Sequence, residues 1–307
     1  SLLGVAAVRT VPSVIQMQHS LAAQLTHETQ APLRFCLLEI DIEPKGKTAI
    51  IYLQESPDTR TGDFAVRPFI QAEGNMLGNI NFYTALLGFR EMGFECVLYR
   101  AMEELVDSSR EDVVVGGLGP VRNALVRHGV TIEELDYPAE LQPYMGRKVW
   151  SATVDEVASD RSLWPVFVKS TENKRLTGKV VSSDRDLAGL GMFGRDLPVT
   201  CSEVVDFAAE WRCFVRYGQI LDVRPYKGDW KKSFDAAVIE NAVKDFASAP
   251  AGYAADFGVT RDGRTLLVEI NDGYSLGCYG LQHNLYAQLL SARWAELVGT
   301  EDECDFS

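Results

Sequence analysis

The chain has 307 residues and a mass of 34.0 kDa, room for about two domains of ordinary size. Hydrophobic residues at 46% and charged residues at 24% are globular proportions, which exclude a disordered, collagen-like or low-complexity chain. Thirty Lys and Arg against 43 Asp and Glu leave a net charge of −13, which repels phosphate backbones and anionic lipid, so neither nucleic acid nor a membrane is the expected partner.

The six cysteines, Cys36, Cys96, Cys201, Cys213, Cys278 and Cys304, form no C-x-x-C pair and fall partly in apolar runs, the usage expected of reduced thiols in a cytoplasmic protein. The four histidines are scattered, which leaves little for a zinc site or a histidine-based triad. No apolar run approaches the ~20 residues needed to span a bilayer. Residues 2–8 are apolar but lack a basic stretch before them and a cleavage site after them, so no signal peptide is expected.

Residues 1–47 read as an accessory segment with a helix around 13–25 and a mixed strand-like stretch at 33–42. The pattern sharpens at 48–53 (TAIIYL), a buried-strand run, followed by helical spacing over 79–92 that Gly93 closes. Strand 94–99, short helix 102–106, strand 112–115 and helix 121–127 complete an alternation that predicts a parallel sheet, so 48–145 is expected to be an N-terminal α/β domain. Its glycine-rich turn, Gly116-Gly117-Leu118-Gly119-Pro120, could cradle an anion at a helix N-terminus, but the simpler expectation is a tight turn with Pro120 near the first helical position.

Beyond Pro138 and Pro143 the texture changes to strands joined by tight turns. Residues 165–169 (PVFVK) and 179–182 (KVVS) flank a loop carrying Lys174, Arg175 and Gly178. Ser183 with Asp186 three residues on marks a helix start. A strand at 199–206 leads to a turn, and 210–216 pairs with 219–226 around Tyr217-Gly218. A two-residue loop there sets Arg212 opposite Val223, and a three-residue loop sets it opposite Arg224. A helix over 236–247, a hairpin and a C-terminal helix over 283–298 follow, ending in a solvated acidic tail at 301–307.

The hairpin carries the chemistry. Asp262-Gly263 between strand-like runs is a strong turn signal. If those two residues are the whole loop, Asp256 lies opposite Glu269 and Ala254 opposite Asn271. Alternation then puts Glu269 and Asn271 on one face and Leu266, Val268 and Ile270 on the other. Two carboxylates ~4.5–5.5 Å apart across a strand pair repel unless something cationic lies between them. Replacing one by alanine is therefore expected to raise metal-free stability slightly. An oxygen-only set of this kind selects Mg²⁺ or Mn²⁺ over zinc.

The ordered set of strand lysine Lys169, cationic loop ending at Gly178-Lys179, Cys201-Ser202-Glu203-Val204-Val205, Glu210 seven positions after Glu203, an arginine-bearing hairpin, then Asp256, Glu269 and Asn271 resembles the ATP-grasp superfamily over residues 146–300. The resemblance implies an α+β fold of two lobes that clamp ATP. It implies Lys169 and Lys179 on phosphates, Glu203 and Val205 on adenine, Glu210 on ribose, and Asp256, Glu269 and Asn271 on the metal. Arg212, Arg224 and Lys227 would supply catalytic charge, and their pattern resembles the clade described by one arginine and two lysines. Two departures stand out: Ala254 sits where many of these ligases carry an arginine two positions before the metal-binding Asp, and residues 170–179 hold only one glycine. The implied activity is an ATP- and Mg²⁺-dependent ligation of a carboxylate to an amine, on an amino acid, peptide or protein terminus. A small-molecule kinase or a non-catalytic nucleotide-binding module is the alternative. The loop 271–280 (NDGYSLGCYG) is a candidate wall for the acceptor.

Overall fold

Apolar runs long enough to be strands are common in this chain, and what sorts them into sheets is the pairing each can reach. The computed structural model describes residues 5–8, 35–42, 49–55, 66–73, 78–133, 135–171, 178–189 and 196–306. The expected helix at 13–25, and Lys174 and Arg175, lie outside these. The chain divides into two units, Ser1–Asp63 and Phe64–Ser307.

In the first unit, β1 (Val5–Val8) and β2 (Phe35–Ile42) each pair antiparallel with β3 (Ala49–Glu55). The 48–53 run, expected to open the parallel sheet, is therefore the central strand of an antiparallel one. An apolar strand run does not state the direction of its neighbours, and the strand that takes its place is too short to stand out: β4 (Phe69–Gln71) is the middle of the parallel sheet, between β5 (Val97–Tyr99) and β6 (Val114–Val115).

Helix α1 (Ile80–Glu91) starts where Asn79 accepts a hydrogen bond from the Asn81 N–H at 2.9 Å, and Gly93 at φ +95° ends it. Gly88 lets α1 approach α6 (His283–Val298) closely: a Cβ there would lie 2.0 Å from the His283 carbonyl oxygen. Helix α2 (Leu118–Arg127) begins three residues earlier than its apolar spacing suggested, and Pro120 is its third residue. The Gly117 N–H donates to Gln71 Oε1 at 2.7 Å, so the glycine-rich turn serves helix–strand packing and its amide is already used.

A short helix α3 (Gln142–Met145) leads into the smaller lobe, an antiparallel sheet of β7 (Val149–Thr153), β10 (Pro198–Glu203), β8 (Val166–Ser170) and β9 (Lys179–Val181), in that order, backed by α4 (Val154–Ser159). Val154, Val157, Val166, Val168, Val181 and Val199 form its core. The larger lobe orders β12 (Gln219–Gly228), β11 (Phe207–Arg216), β13 (Gly252–Thr260) and β14 (Thr265–Asp272). One face, with Cys213, Val215, Ala255 and Phe257, packs on α5 (Ala236–Asp245). The other packs Phe214 and Ala254 against α6, and further along it turns from apolar to charged at Arg212 and Asp256.

The acidic end of the chain, expected to be solvated, is docked. Asp302, its side chain 5% exposed, accepts from Arg216 at 2.8 Å, the Tyr217 hydroxyl at 3.0 Å and the Ser291 hydroxyl at 2.6 Å, and Cys304 is buried. A run of acidic letters hides two carboxylates that find one cation, since Asp305 also lies 3.6 Å from Arg216.

Cys96, Cys201, Cys213, Cys278 and Cys304 are free thiols. Burial pushes Cys201 up to about 11 and Cys213 and Cys304 to about 12. The reactive thiolate is then about a thousandth or less of each at pH 8. Iodoacetamide at that pH is expected to leave all three unlabelled in the native chain while a urea-denatured control is fully labelled. Native labelling at the denatured rate would contradict the burial.

No helix among the described residues is long and apolar enough to cross a membrane.

Candidate active site

Two hairpins fix the site, each with a bulge that sets its register. Around Tyr217-Gly218, with φ +48° and +71°, the loop is a two-residue turn that pairs Arg216 with Gln219. A bulge between Phe214 and Val215 then shifts the register, so Arg212 lies opposite Arg224, the outcome that a three-residue loop would have given. In the β13–β14 hairpin the turn is wider than Asp262-Gly263 alone: Val259 pairs with Thr265, and the Thr260 N–H donates to the Arg264 carbonyl. A bulge past Phe257 restores the count, and Asp256 faces Glu269 and Ala254 faces Asn271 as alternation requires. That bulge also rotates Val268 off the core face, so it lines the cleft beside Glu269 while Leu267 and Ile270 enter the core.

Between the lobes lies a cleft of about 690 Å³, walled by Phe167, Gly178 and Val180 from the smaller lobe and by Phe207, Glu210, Tyr226, Lys227 and Val268 from the larger, with Glu203 to Asp206 crossing between them. Lys169, Glu203, Val205, Glu210, Lys227 and Glu269 all line it. Lys179 does not. It pairs with the core residue Val168, so its side chain leaves the opposite face of β9, where Nζ reaches the Ala188 carbonyl at 3.4 Å. Its place as a phosphate contact fails on strand parity: Gly178 and Val180 take the cleft face.

Asp256 and Glu269 do not face each other uncompensated. Arg212 donates to both Asp256 oxygens, at 2.8 and 2.7 Å, with the two side chains 8% and 3% exposed. Burial opposes the guanidinium's charge and Asp256 more than restores it, so its pKa lies above the usual value. Lys169 donates to Glu269 at 2.7 Å and lies 2.9 Å from Asp136. Burial alone would lower the lysine, but the two carboxylates outweigh it and raise it. For Glu269 burial works upward, and Lys169 overrides it and holds the carboxyl below its ordinary range. The Asn271 amide nitrogen bridges the pair, 3.1 Å from Asp256 and 3.3 Å from Glu269.

At the mouth, Glu210 accepts from the Tyr226 hydroxyl at 2.8 Å and pairs with the exposed Lys227. Glu203 accepts from the Lys148 N–H at 2.8 Å, which ties the crossing segment to the start of β7. Arg224 turns to Asp222 at 2.6 Å and lies half-exposed outside the cleft. Tyr226 and Tyr279 stack at 5.1 Å, and the Arg212 guanidinium lies 4.7 Å from the Tyr279 ring.

Three participants carry no signal in the sequence. Asp136 and Tyr137 sit in a stretch that reads as a connection, and Arg147 donates to the Leu267 and Val268 carbonyls at 2.6 and 2.7 Å, bonds to backbone that no side-chain pattern announces. Among the described residues no group of three His, Cys, Asp or Glu side chains could hold a metal ion. The converging set is two carboxylates and an amide whose nitrogen faces them; with that amide turned to present its oxygen, the set has the hard oxygen chemistry that suits a magnesium ion retaining several waters.

A four-stranded antiparallel lobe clasped over a second one, with a lysine-bearing strand, a connecting hinge and an acidic hairpin on the facing surfaces, defines the ATP-grasp fold. Residues 144–289 match the family described as an ATP-grasp domain, family 2 of the clade named for one arginine and two lysines. Among solved structures, the ATP-grasp ligase PsnB complexed with minimal precursor is 10% identical, at TM-score 0.45 over 76% of this chain and 99% of that one. D-alanine–D-alanine ligase from Bacillus anthracis is 12% identical, at TM-score 0.45 over 76% and 98%. N5-carboxyaminoimidazole synthetase from Staphylococcus aureus complexed with ADP is 10% identical, at TM-score 0.46 over 77% of each chain. No curated protein sequence matches the chain.

Proposed function

We propose that the chain is an ATP- and magnesium-dependent carboxylate–amine ligase working through an acylphosphate, with an amino acid, peptide or protein terminus as substrate. The observation that carries this reading is the cleft: one apolar slot meets Lys169, Lys227, Glu210 and Glu269 inside an ATP-grasp domain. Phe167, Val180, Val205 and Val268 suit a flat base, whose edge meets the backbone of the Glu203 to Val205 crossing. Glu210 takes the ribose hydroxyls, and Lys169 and Lys227 take phosphate oxygens. Arg212 orients Asp256, and Arg224 adds positive potential from outside.

Magnesium, when bound, would be held by Asp256, Glu269 and Asn271, with manganese able to replace it, and would offset charge on the phosphates. A substrate carboxylate oxygen attacks the γ-phosphorus, the bond to the bridging oxygen breaks, and ADP leaves. The amine then attacks the acyl carbon, phosphate departs with the bonding pair, and the amine proton passes to solvent. Such chemistry asks for positioning and charge more than for a covalent nucleophile. The loop at 271–280, whose Tyr279 covers Arg212, forms the acceptor side.

Calorimetric titration with a non-hydrolysable ATP analogue and magnesium tests the nucleotide site. Glu210→Ala is expected to bind roughly ten- to a hundredfold more weakly, the worth of hydrogen bonds to a charged acceptor. Unchanged affinity would remove Glu210 from the ribose. Turnover is tested by mass spectrometry on carboxylate and amine pairs: an amide with ADP supports the ligase, and a stable phosphorylated product without amide replaces it with a kinase.

A further inference from the structure

Lys169 holds the charge balance of the site, and it has two anionic partners where the assigned chemistry needs only one. Its ammonium donates to Glu269 at 2.7 Å and lies 2.9 Å from the Asp136 carboxylate, with its side chain 14% exposed. Asp136 lies outside the matched domain, eight positions before its first residue. It is nonetheless fixed to the metal strand, because its carbonyl accepts from the Ile270 N–H at 2.9 Å, between Glu269 and Asn271. The ring of Tyr137 lies 5.8 Å from the same ammonium.

We propose that Asp136 is a positioning residue that keeps Lys169 aimed into the cleft when magnesium takes Glu269. The inference rests on the nucleotide and metal reading above. A metal that claims Glu269 removes one of the lysine's two anions. With Asp136 in place, Lys169 keeps a fixed partner and turns its remaining donors to phosphate. Without it, Glu269 is the lysine's sole carboxylate, and metal and lysine compete for one group. Asp136 thereby couples metal binding to nucleotide binding, although it touches neither.

The test is calorimetric titration of the full chain with a non-hydrolysable ATP analogue, in EDTA and in saturating magnesium. In the wild-type chain magnesium is expected to strengthen nucleotide binding. In Asp136→Asn that strengthening is expected to fall on the order of tenfold, while affinity in EDTA stays within about threefold or rises. Asp136→Glu, which keeps the charge, is expected to recover most of the coupling. Equal loss of affinity in both conditions would mark Asp136 as merely structural and overturn the proposal, as would unchanged coupling. Absence of nucleotide binding by the wild-type chain would overturn the functional reading and this proposal with it.

Discussion

Asp256→Ala is expected to lower the unfolding free energy by about 3–5 kcal/mol, the cost of leaving a buried charge without its partner. The stranded group is Arg212, which spends two donors on Asp256 in a pocket that admits almost no water. The sign is opposite to that drawn from cross-strand repulsion alone, because the structure supplies a cation to each carboxylate. Urea unfolding in EDTA measures it, and a loss below about 1 kcal/mol would mean that the pair is not sealed from solvent. Replacing both partners by apolar residues, Arg212→Met with Asp256→Leu, is expected to recover most of the loss, since removing a whole buried pair is often close to neutral.

Lys169→Ala is expected to weaken ATP binding by roughly ten- to a hundredfold, from lost charge-assisted hydrogen bonds to phosphate. It also leaves Glu269 and Asp136 facing each other with no cation between them, repulsion that an incoming triphosphate worsens. Lys179→Ala serves as the control, since its side chain leaves the other face of the sheet and should change affinity by less than about twofold. Equal losses in the two variants would mean that phosphates reach both faces of the β8–β9 sheet and that the assignment by parity is wrong.

These contrasts show what the sequence makes legible. Period-two alternation correctly put Glu269 and Asn271 beside Asp256, because register at a half-buried hairpin is set by which side chains can face the core. It misplaced Val268, because a bulge is one extra residue without a side-chain signature of its own. The Arg212–Arg224 pairing is open in the sequence for the same reason: Tyr217-Gly218 leaves a two- or a three-residue loop, and the bulge between Phe214 and Val215 that decides the pairing has no signature of its own. Lys169 and Lys179 both follow or precede valines, and only the observed pairing with Val168 shows that one faces the cleft and the other does not. Asp136 and Arg147 were missed because their partners lie far along the chain and include backbone carbonyls, which every residue possesses and no motif marks.

The strand that carries Glu269 and Asn271 is the last in its sheet, and its outer side would ordinarily be a row of open N–H and C=O groups. Here the Ile270 N–H is taken by Asp136, and the Leu267 and Val268 carbonyls are taken by Arg147. An uncovered edge of this kind is a template on which another copy of the chain can add a strand, the usual first step of β-aggregation. The connecting segment thus guards the sheet against self-association with the same residues that hold the site in shape. Variation there is constrained twice, once by the chemistry of the cleft and once by the need to keep that edge closed.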